Sequence, residues 1–485
     1  MATPIPANRC AFTAREIAAA VGGTESRDAG LRTVGVSIDS RSITAGALFV
    51  ALRAARDGHE FIDAAARAGA SAAIVMRGHA TSALPCFEVG DTLVALGALA
   101  RAHLERMRRA SHLPVIAIGG AAGKTTTKEL TAAVMRALCG NVLATPGNLN
   151  NLIGVPMTIF TLDETHRAAV LECGTNQRGE IPRLAQIVQP DAALVLNVDL
   201  EHTEGLGSLI GVADEEAALF ANTGTAVVAT SEALLLERVP AARRRLTFGI
   251  EGHADVRLVK RQLTATGNQR VTLALNPTLV EPGTDPRLDV TLALLGATSA
   301  LNAAAAVAAG AAALARPLSG AELTAIAHAL AEVVAVEGRL RMLERGGIVV
   351  IDDSYNSNPR SLRSALVTAR EVADGRGARL VVALGDMLEL GGLSAEAHRE
   401  ALRDIDAARP AAGILTGPEL TAAVGKLAAT ERPRQIVTAA DSVEAARMIT
   451  ALVNAGDVLL VKGSRGIAME RVIEALPESR LHTIS

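Results

Sequence analysis

Six consecutive residues, Gly120-Ala121-Ala122-Gly123-Lys124-Thr125, have the composition of a phosphate cradle. They lie between a short apolar run, Val115 to Ile118, and a helical pattern from Gly123 to Leu138. Backbone N–H groups and the start of a helix therefore converge where an anion would sit. The lysine can reach β- and γ-phosphates, and the threonine hydroxyl can ligate Mg²⁺. The full eight-residue P-loop has a glycine where this chain has Ile118, so the motif is a shorter G-x-x-G-K-T form. Taken without its surroundings it is also an ordinary glycine turn opening an α/β helix. Glu172 closes another apolar run, where a carboxylate is costly unless a metal or cation is near; as a partly exposed strand-end residue it would need neither. Tyr355, the one tyrosine of the chain, stands in the polar stretch Asp352 to Pro359. A site explains it there better than core filling, although the stretch also reads as a capped turn before a helix starting near Ser361.

Elements that would position these residues follow from apolar periodicity. Residues 1 to 112 carry strand-like runs (Val34 to Ile38, Ala47 to Ala51, Ala72 to Val75), a short helical stretch Phe61 to Gly69 and a long one from Asp91 to Ala110. At His112-Leu113-Pro114 the pattern resets. Residues 113 to 335 then alternate apolar runs (Val115 to Ile118, Ala168 to Leu171, Ala192 to Leu196, Ala226 to Ala229) with helical stretches, as a parallel sheet requires. Polar and apolar residues alternate over 254 to 295 around Thr266-Gly267-Asn268, which predicts a hairpin on the edge of that sheet. Residues 336 to 485 carry five more runs (Ile348 to Ile351, Leu380 to Leu384, Gly413 to Leu415, Ile436 to Thr438, Val458 to Val461), each followed by a helical pattern. The expected fold is α/β with three domains: a small first one, a central P-loop-type parallel-sheet ATPase domain and a C-terminal doubly wound, Rossmann-like one.

The length of 485 residues agrees with about three domains, each able to bury its own core. A net charge of −3 leaves no basic field for nucleic acid or anionic membrane, so any anionic substrate must be held locally and no nucleic-acid partner is expected. Cys10, Cys86, Cys139 and Cys173 are scattered without metal-ligand or disulfide spacing, which fits a reducing, cytoplasmic setting. Arg9, Arg15 and Glu16 interrupt the N-terminal apolar stretch, so no secretory signal is expected. The alanine-rich run Ala300 to Ala315 contains Asn302 and Gly310 and reads as a buried helix, with no membrane insertion.

Blocks from residue 37 to residue 470 resemble, in order and spacing, the Mur ligases. In the first domain these are Ser37-Ile38-Asp39-Ser40-Arg41, Gly46 to Leu52 and Asp57 to Phe61; the resemblance makes this the uridine-nucleotide end, with Ser40 and Arg41 as substrate contacts. Small hydroxyls and an arginine suit a diphosphate, although Asp39 and Arg41 read equally as a surface ion pair. In the central domain Thr145 to Asn151, followed by Ile153-Gly154-Val155-Pro156, is similar to the family's substrate loop, with Asn148 touching substrate or phosphate. Gly120, Gly123, Lys124 and Thr125 would hold ATP, Glu172 would ligate Mg²⁺ together with Thr125, and His202, in register with Asn197, would bind a second metal. Asn302 matches the adenine-binding asparagine. In the third domain Glu337 to Leu340, Asp352 to Pro359, Leu384 to Gly391 with His398, and Lys462 to Gly466 complete the match. By resemblance Arg339 contacts the nucleotide phosphates, Asp353 the ribose, and Tyr355 and Asn356 the substrate. The D-D-S-Y-N-x-N-P form points to the branch of the family that adds D-alanyl-D-alanine.

The resemblance implies a cytoplasmic, monomeric ligase that uses ATP and Mg²⁺ to activate the terminal carboxylate of UDP-N-acetylmuramoyl-tripeptide as an acyl phosphate, which the amine of D-Ala-D-Ala then attacks. Lys124, Glu172, His202 and Glu216 would carry the chemistry. Three departures stand out. Gly119, Ala121 and Ala122 replace the usual threonine and serine or asparagine, removing side-chain donors. Thr298 and Ser299 stand where G-x-H-N is expected before Asn302. Read without gaps, Glu216 occupies the register of a lysine that the family carbamylates, although Asp214 or Glu215 becomes the counterpart if the register slips and the three acids also read as a solvated helix face; as the counterpart, Glu216 keeps a negative charge near the second Mg²⁺ with roughly 4 Å less reach, and is expected to act through a bridging water or a shifted helix. Two alternatives follow: another ligase of the superfamily, including a folylpolyglutamate-synthase-like one, and a catalytically weakened binding homologue.

Overall fold

The computed structural model describes residues 3–22, 30–201, 203–264, 268–426 and 435–477. Three larger sheets and one antiparallel strand pair organise them. The first is a four-stranded parallel sheet in the order Val36–Ser37, Leu48–Val50, Ala72–Met76, Cys86–Val89. The single run expected from Val34 to Ile38 is broken at Gly35, whose φ of 90° only glycine adopts readily. Its first part pairs instead with Ala11–Thr13, antiparallel. The helix Thr92–Ser111 follows; Asp91 caps it by accepting from the N–H groups of Leu93 and Val94 at 2.7 and 3.1 Å.

The second sheet has nine strands in the order Arg287–Leu292, Gln269–Leu275, Val256–Leu263, Arg244–Gly249, Thr225–Ala229, Ala192–Val195, Val115–Gly119, Ala168–Glu172, Val142–Ala144. Val115–Gly119 lies between Ala192–Val195 and Ala168–Glu172, and all three run parallel. The connection out of this strand leads one way, to Val142–Ala144, and that out of Ala168–Glu172 leads back the other way, to Ala192–Val195, so the crevice beyond their carboxyl ends is where a ligand fits an open α/β sheet. The Gly120 loop, Glu172 and Asn197 all emerge there. The strands of the expected hairpin pair antiparallel, and a third strand, Arg287–Leu292, extends the pair to the sheet edge. Thr266 and Gly267 of its turn lie outside the described residues.

The third sheet has six strands in the order Arg341–Arg345, Ile348–Asp353, Val458–Lys462, Leu380–Gly385, Ala412–Thr416, Ile436–Ala439, parallel apart from the first. Val458–Lys462 returns to the middle, so the loops after Asp353, Lys462 and Gly385 gather at one end.

The first unit does not bury a separate core. Phe12, Leu96 and Leu99 pack into one apolar cluster with Phe160, Ala117 and Val195 of the central unit. The expected self-contained small domain is thus fused to one face of the nine-stranded sheet, and only its opposite face has a small cluster of its own around Phe49 and Ile62. The other face of the central sheet is covered by the alanine-rich helix Gly296–Leu314. That helix is long and apolar enough to cross a membrane, yet it is buried in the protein as its sequence predicts. Its small residues permit close approach: a Cβ at Gly310 would stand 2.8 Å from Val134 on the helix Lys124–Cys139. This contact brings Asn302 down onto the Gly120 loop.

Candidate active site

The loop Gly120–Gly123 needs its glycines. Gly120 and Gly123 have φ of 116° and 89°. A Cβ at Gly120 would lie 2.9 Å from the N of Leu196, and one at Gly123 would lie 3.1 Å from Asn302 Nδ2. Asn197 ties the loop down with both ends of its amide: Oδ1 accepts from Ala122 N–H at 2.8 Å and Nδ2 donates to Ala122 O at 2.9 Å. The donors lost at Ala121 and Ala122 therefore have a substitute in holding the loop's shape.

Lys124 opens the helix and folds back, its Nζ 2.5 Å from Gly120 O and 3.5 Å from Glu201 Oε1. Burial opposes its charge, but Glu201, Glu216 and Glu172 outweigh that effect and hold its pKa above the ordinary lysine value. Glu216, from the helix Leu209–Ala217, is buried and accepts from Gly120 N–H at 2.7 Å. Its carboxylate meets the loop directly, where the sequence predicts a bridging water or a displaced helix. It can do so because residue 119 is glycine: a Cβ there would stand 2.7 Å from Glu216 Oε2. Burial pushes the Glu216 carboxyl up to about 7, against the pull of Lys124.

Glu172, 2% exposed, receives Asn150 Nδ2 on Oε1 at 2.8 Å. Its Oε2 is buried and has no hydrogen-bond partner. An orphaned carboxylate oxygen facing a phosphate loop fits a divalent cation. Among the described residues no group of three His, Cys, Asp or Glu is arranged to hold a metal. Mg²⁺ is commonly held by one or two carboxylates together with substrate phosphates, a donor set that Glu172 and Thr125 on this cavity fit. His202 lies outside the described residues.

Two adjoining cavities meet at the loop. One, of about 260 Å³, is lined by Gly123, Asn302, Arg339, Asp353 and apolar groups including Phe248 and Leu295. Thr298 lines it too and bonds Ser364 Oγ at 2.7 Å, so this departure now joins the alanine-rich helix to the third unit. The second, of about 440 Å³, is polar and lined by Lys124, Thr125, Asn148, Glu172, Glu201, Tyr355, Asn356 and Arg465 among others. Arg339 lines both, with its guanidinium 4.1 Å from the centre of the Tyr355 ring. Asp353 is already engaged, taking Lys462 Nζ at 2.6 Å on Oδ2 and Leu340 N–H at 3.1 Å on Oδ1.

Eleven of the residues singled out in the sequence thus come together: Gly120, Gly123, Lys124, Thr125, Asn148, Glu172, Glu216, Asn302, Arg339, Tyr355 and Asn356, with Asp353 beside them. Ser40 and Arg41 do not join them. They line neither cavity, and Arg41 is an exposed partner of Asp39, NH2 to Oδ2 at 2.7 Å, the surface-pair alternative. Three supports carried no role in the sequence reading. Asn150 orients Glu172; Glu201 links Lys124 to Asn358 Nδ2 of the third unit, 3.3 Å from its other oxygen; and Lys462 neutralises Asp353. Asn150 stands inside the stretch Thr145 to Asn151 and Glu201 lies between Asn197 and His202, a signal of place without a signal of partner.

The fold and this phosphate site define an ATP-dependent ligase, and the chain belongs to the Mur ligase family. Residues 32–118 match the Mur ligase family catalytic domain, 118–310 the Mur ligase middle domain, and 338–465 the Mur ligase glutamate ligase domain. Within the family, similar relatives carry the name UDP-N-acetylmuramoyl-tripeptide–D-alanyl-D-alanine ligase. One from Escherichia coli is 36% identical, covering 92% of this chain and 94% of that one. One from Bacillus subtilis is 31% identical over 97% and 99%. Among solved structures, MurF from Acinetobacter baumannii superposes with a TM-score of 0.83 at 27% identity, covering 96% of this chain and 99% of that one. MurF ligase from Thermotoga maritima in complex with ADP gives 0.76 at 27%, over 91% and 96%.

Proposed function

We propose that the chain joins D-alanyl-D-alanine to UDP-N-acetylmuramoyl-tripeptide at the expense of ATP, as a cytoplasmic monomer in peptidoglycan precursor synthesis. The observation that carries the reading is the polar cavity in which Lys124, Thr125 and Glu172 of the central unit face Tyr355 and Asn356 of the third. Division of labour among residues 1–112, 113–335 and 336–485 follows: substrate anchoring, ATP binding, and closure over the reacting groups.

ATP enters the first cavity with its base against Asn302 and its phosphates on the loop. Lys124 exchanges Gly120 O for the β- and γ-phosphates. The tripeptide's terminal carboxylate attacks the γ-phosphorus; an O–P bond forms, the bond to the β-phosphate oxygen breaks, and ADP leaves. The amine of D-Ala-D-Ala then attacks the acyl carbon, an amide forms and inorganic phosphate departs. Mg²⁺, when bound at Thr125 and the free oxygen of Glu172, neutralises charge on the transferred group. Positioning from both units and exclusion of water protect the intermediate from hydrolysis.

The test is phosphate release and product mass with ATP, Mg²⁺, D-Ala-D-Ala and each of two UDP-tripeptides, one ending in diaminopimelate and one in lysine. ATP turnover that depends on both co-substrates is expected. ATP binding without such turnover would favour the weakened homologue, a reading kept alive by Glu216 occupying the Gly120 N–H.

A further inference from the structure

The second cavity contains a cation that the reaction as written does not use. Three cationic side chains line it: Lys124, Arg339 and Arg465. Lys124 is held by its own loop and Glu201. Arg339 stacks on Tyr355 and also lines the nucleotide cavity. Arg465 lines the polar cavity alone of the two, with its guanidinium 5.9 Å from the centre of the Tyr355 ring. Among the described residues its ion pair, NH1 to Glu470 Oε1 at 3.3 Å, is half exposed and therefore weak.

The backbone that carries Arg465 is fixed. Ser464 is buried; its hydroxyl donates to Ser357 O at 3.3 Å and accepts from Leu388 N–H at 2.9 Å, joining three loops at the sheet end. A Cβ at Gly466 would stand 2.8 Å from Leu388 Cδ1. A long cationic side chain thus rises from a rigid turn on the rim of the chamber where the acyl phosphate must be attacked.

The dipeptide brings a C-terminal carboxylate that takes no part in bond formation and needs a counter-charge away from the phosphates. We propose that Arg465 is the receptor for the C-terminal carboxylate of the incoming dipeptide, holding it so that the far-end amine faces the acyl carbon. This rests on the proposed reaction. A guanidinium suits the task, because its planar fork takes both carboxylate oxygens.

The experiment compares wild type, Arg465→Gln and Arg465→Lys with D-Ala-D-Ala and with its C-terminal amide, at saturating ATP and UDP-tripeptide. Melting temperatures exclude misfolding. Arg465→Gln should raise the KM for D-Ala-D-Ala by about 10- to 100-fold, the loss of a charge-assisted pair, and leave the KM values for ATP and UDP-tripeptide within about threefold. Wild type should prefer the acid over the amide strongly, Arg465→Gln should show little preference, and Arg465→Lys should fall between. An acid-over-amide preference that survives in Arg465→Gln, or a loss confined to kcat, overturns the assignment. Wild-type enzyme inactive with D-Ala-D-Ala refutes the proposed reaction itself, a result distinct from a failure of Arg465 alone.

Discussion

Replacing Glu216 by glutamine should make the nucleotide-free protein more stable and the enzyme worse. The carboxyl is buried against the phosphate loop, and burial raises its pKa from 4.5 to about 7. The folded state therefore holds the proton more tightly than the unfolded chain does. Between these two values the folded form carries more protons, so stability falls as pH rises, and the loss is complete above pH 7. A shift of this size corresponds to about 3 kcal/mol. Glutamine keeps an oxygen for Gly120 N–H but adds an amide N–H₂ that must find an acceptor, which returns about 1 kcal/mol. The expected net gain at pH 8 is about 2 kcal/mol, or roughly 4 to 8 °C in the melting temperature of the central unit.

The assay is thermal or urea unfolding of wild type and Glu216→Gln without nucleotide from pH 5 to pH 8. The gain should shrink steadily toward acid and vanish near pH 5, where the folded carboxyl is protonated and the remaining pH-dependent penalty, about 1 kcal/mol with the unfolded group at 4.5, only matches the cost of the amide. Turnover should move the other way, since a full negative charge beside Lys124 is lost from the site where the phosphoryl group is transferred. A variant that is less stable than wild type at pH 8, or a stability difference independent of pH, would refute the reasoning: the ionised carboxylate would then be a net stabiliser through Lys124 and Gly120 N–H.

Lys124→Ala should abolish ligation and preserve the fold, because the lysine serves phosphate and its packing is shared with its own loop; near-normal turnover in folded protein would sink the ATP-site assignment. Gly119→Thr should reduce activity at least tenfold, since its Cβ meets Glu216 Oε2 at 2.7 Å, and adding Glu216→Ala should make the threonine tolerable for folding; strictly additive effects in a double-mutant cycle count against the contact. Activity should be indifferent to bicarbonate in wild type, whereas Glu216→Lys should recover part of its turnover when bicarbonate is added. D-Ala-D-Ala should outcompete L-lysine, diaminopimelate and glutamate as nucleophile in a direct substrate screen, and a better single amino acid would leave only the family assignment standing.

The strands were legible in the sequence because buried parallel strands are short continuous apolar runs; Val115–Gly119, Ala168–Glu172 and Val458–Lys462 fall where those runs lie. The ligand-facing groups were legible for a related reason: they are polar residues at the carboxyl ends of such runs, where a sheet exposes them. What periodicity does not carry is partnership across long chain separations. Nothing local says that Phe12 and Leu96 pack on Phe160, so the first unit reads as independent when its core is shared. Nor does anything local say that Asn150 orients Glu172, or that Arg41 spends its charge on Asp39 and not on a substrate.

Gly119 and Glu216 show the same limit from the other side. Each reads as a lost feature by itself: a threonine hydroxyl missing from a phosphate loop, a carbamylated lysine replaced by a shorter acid. In the fold they are one change. The missing Cβ leaves the space in which the Glu216 carboxylate reaches Gly120 N–H. The consequence is a phosphate loop whose anchor titrates near neutral pH. Protonation weakens the carboxylate's hold on Gly120 and removes a countercharge of Lys124. Two positions 97 residues apart can be read as compensating only when their distance in space is known, which is why the sequence presents as two defects what the structure resolves as a single contact.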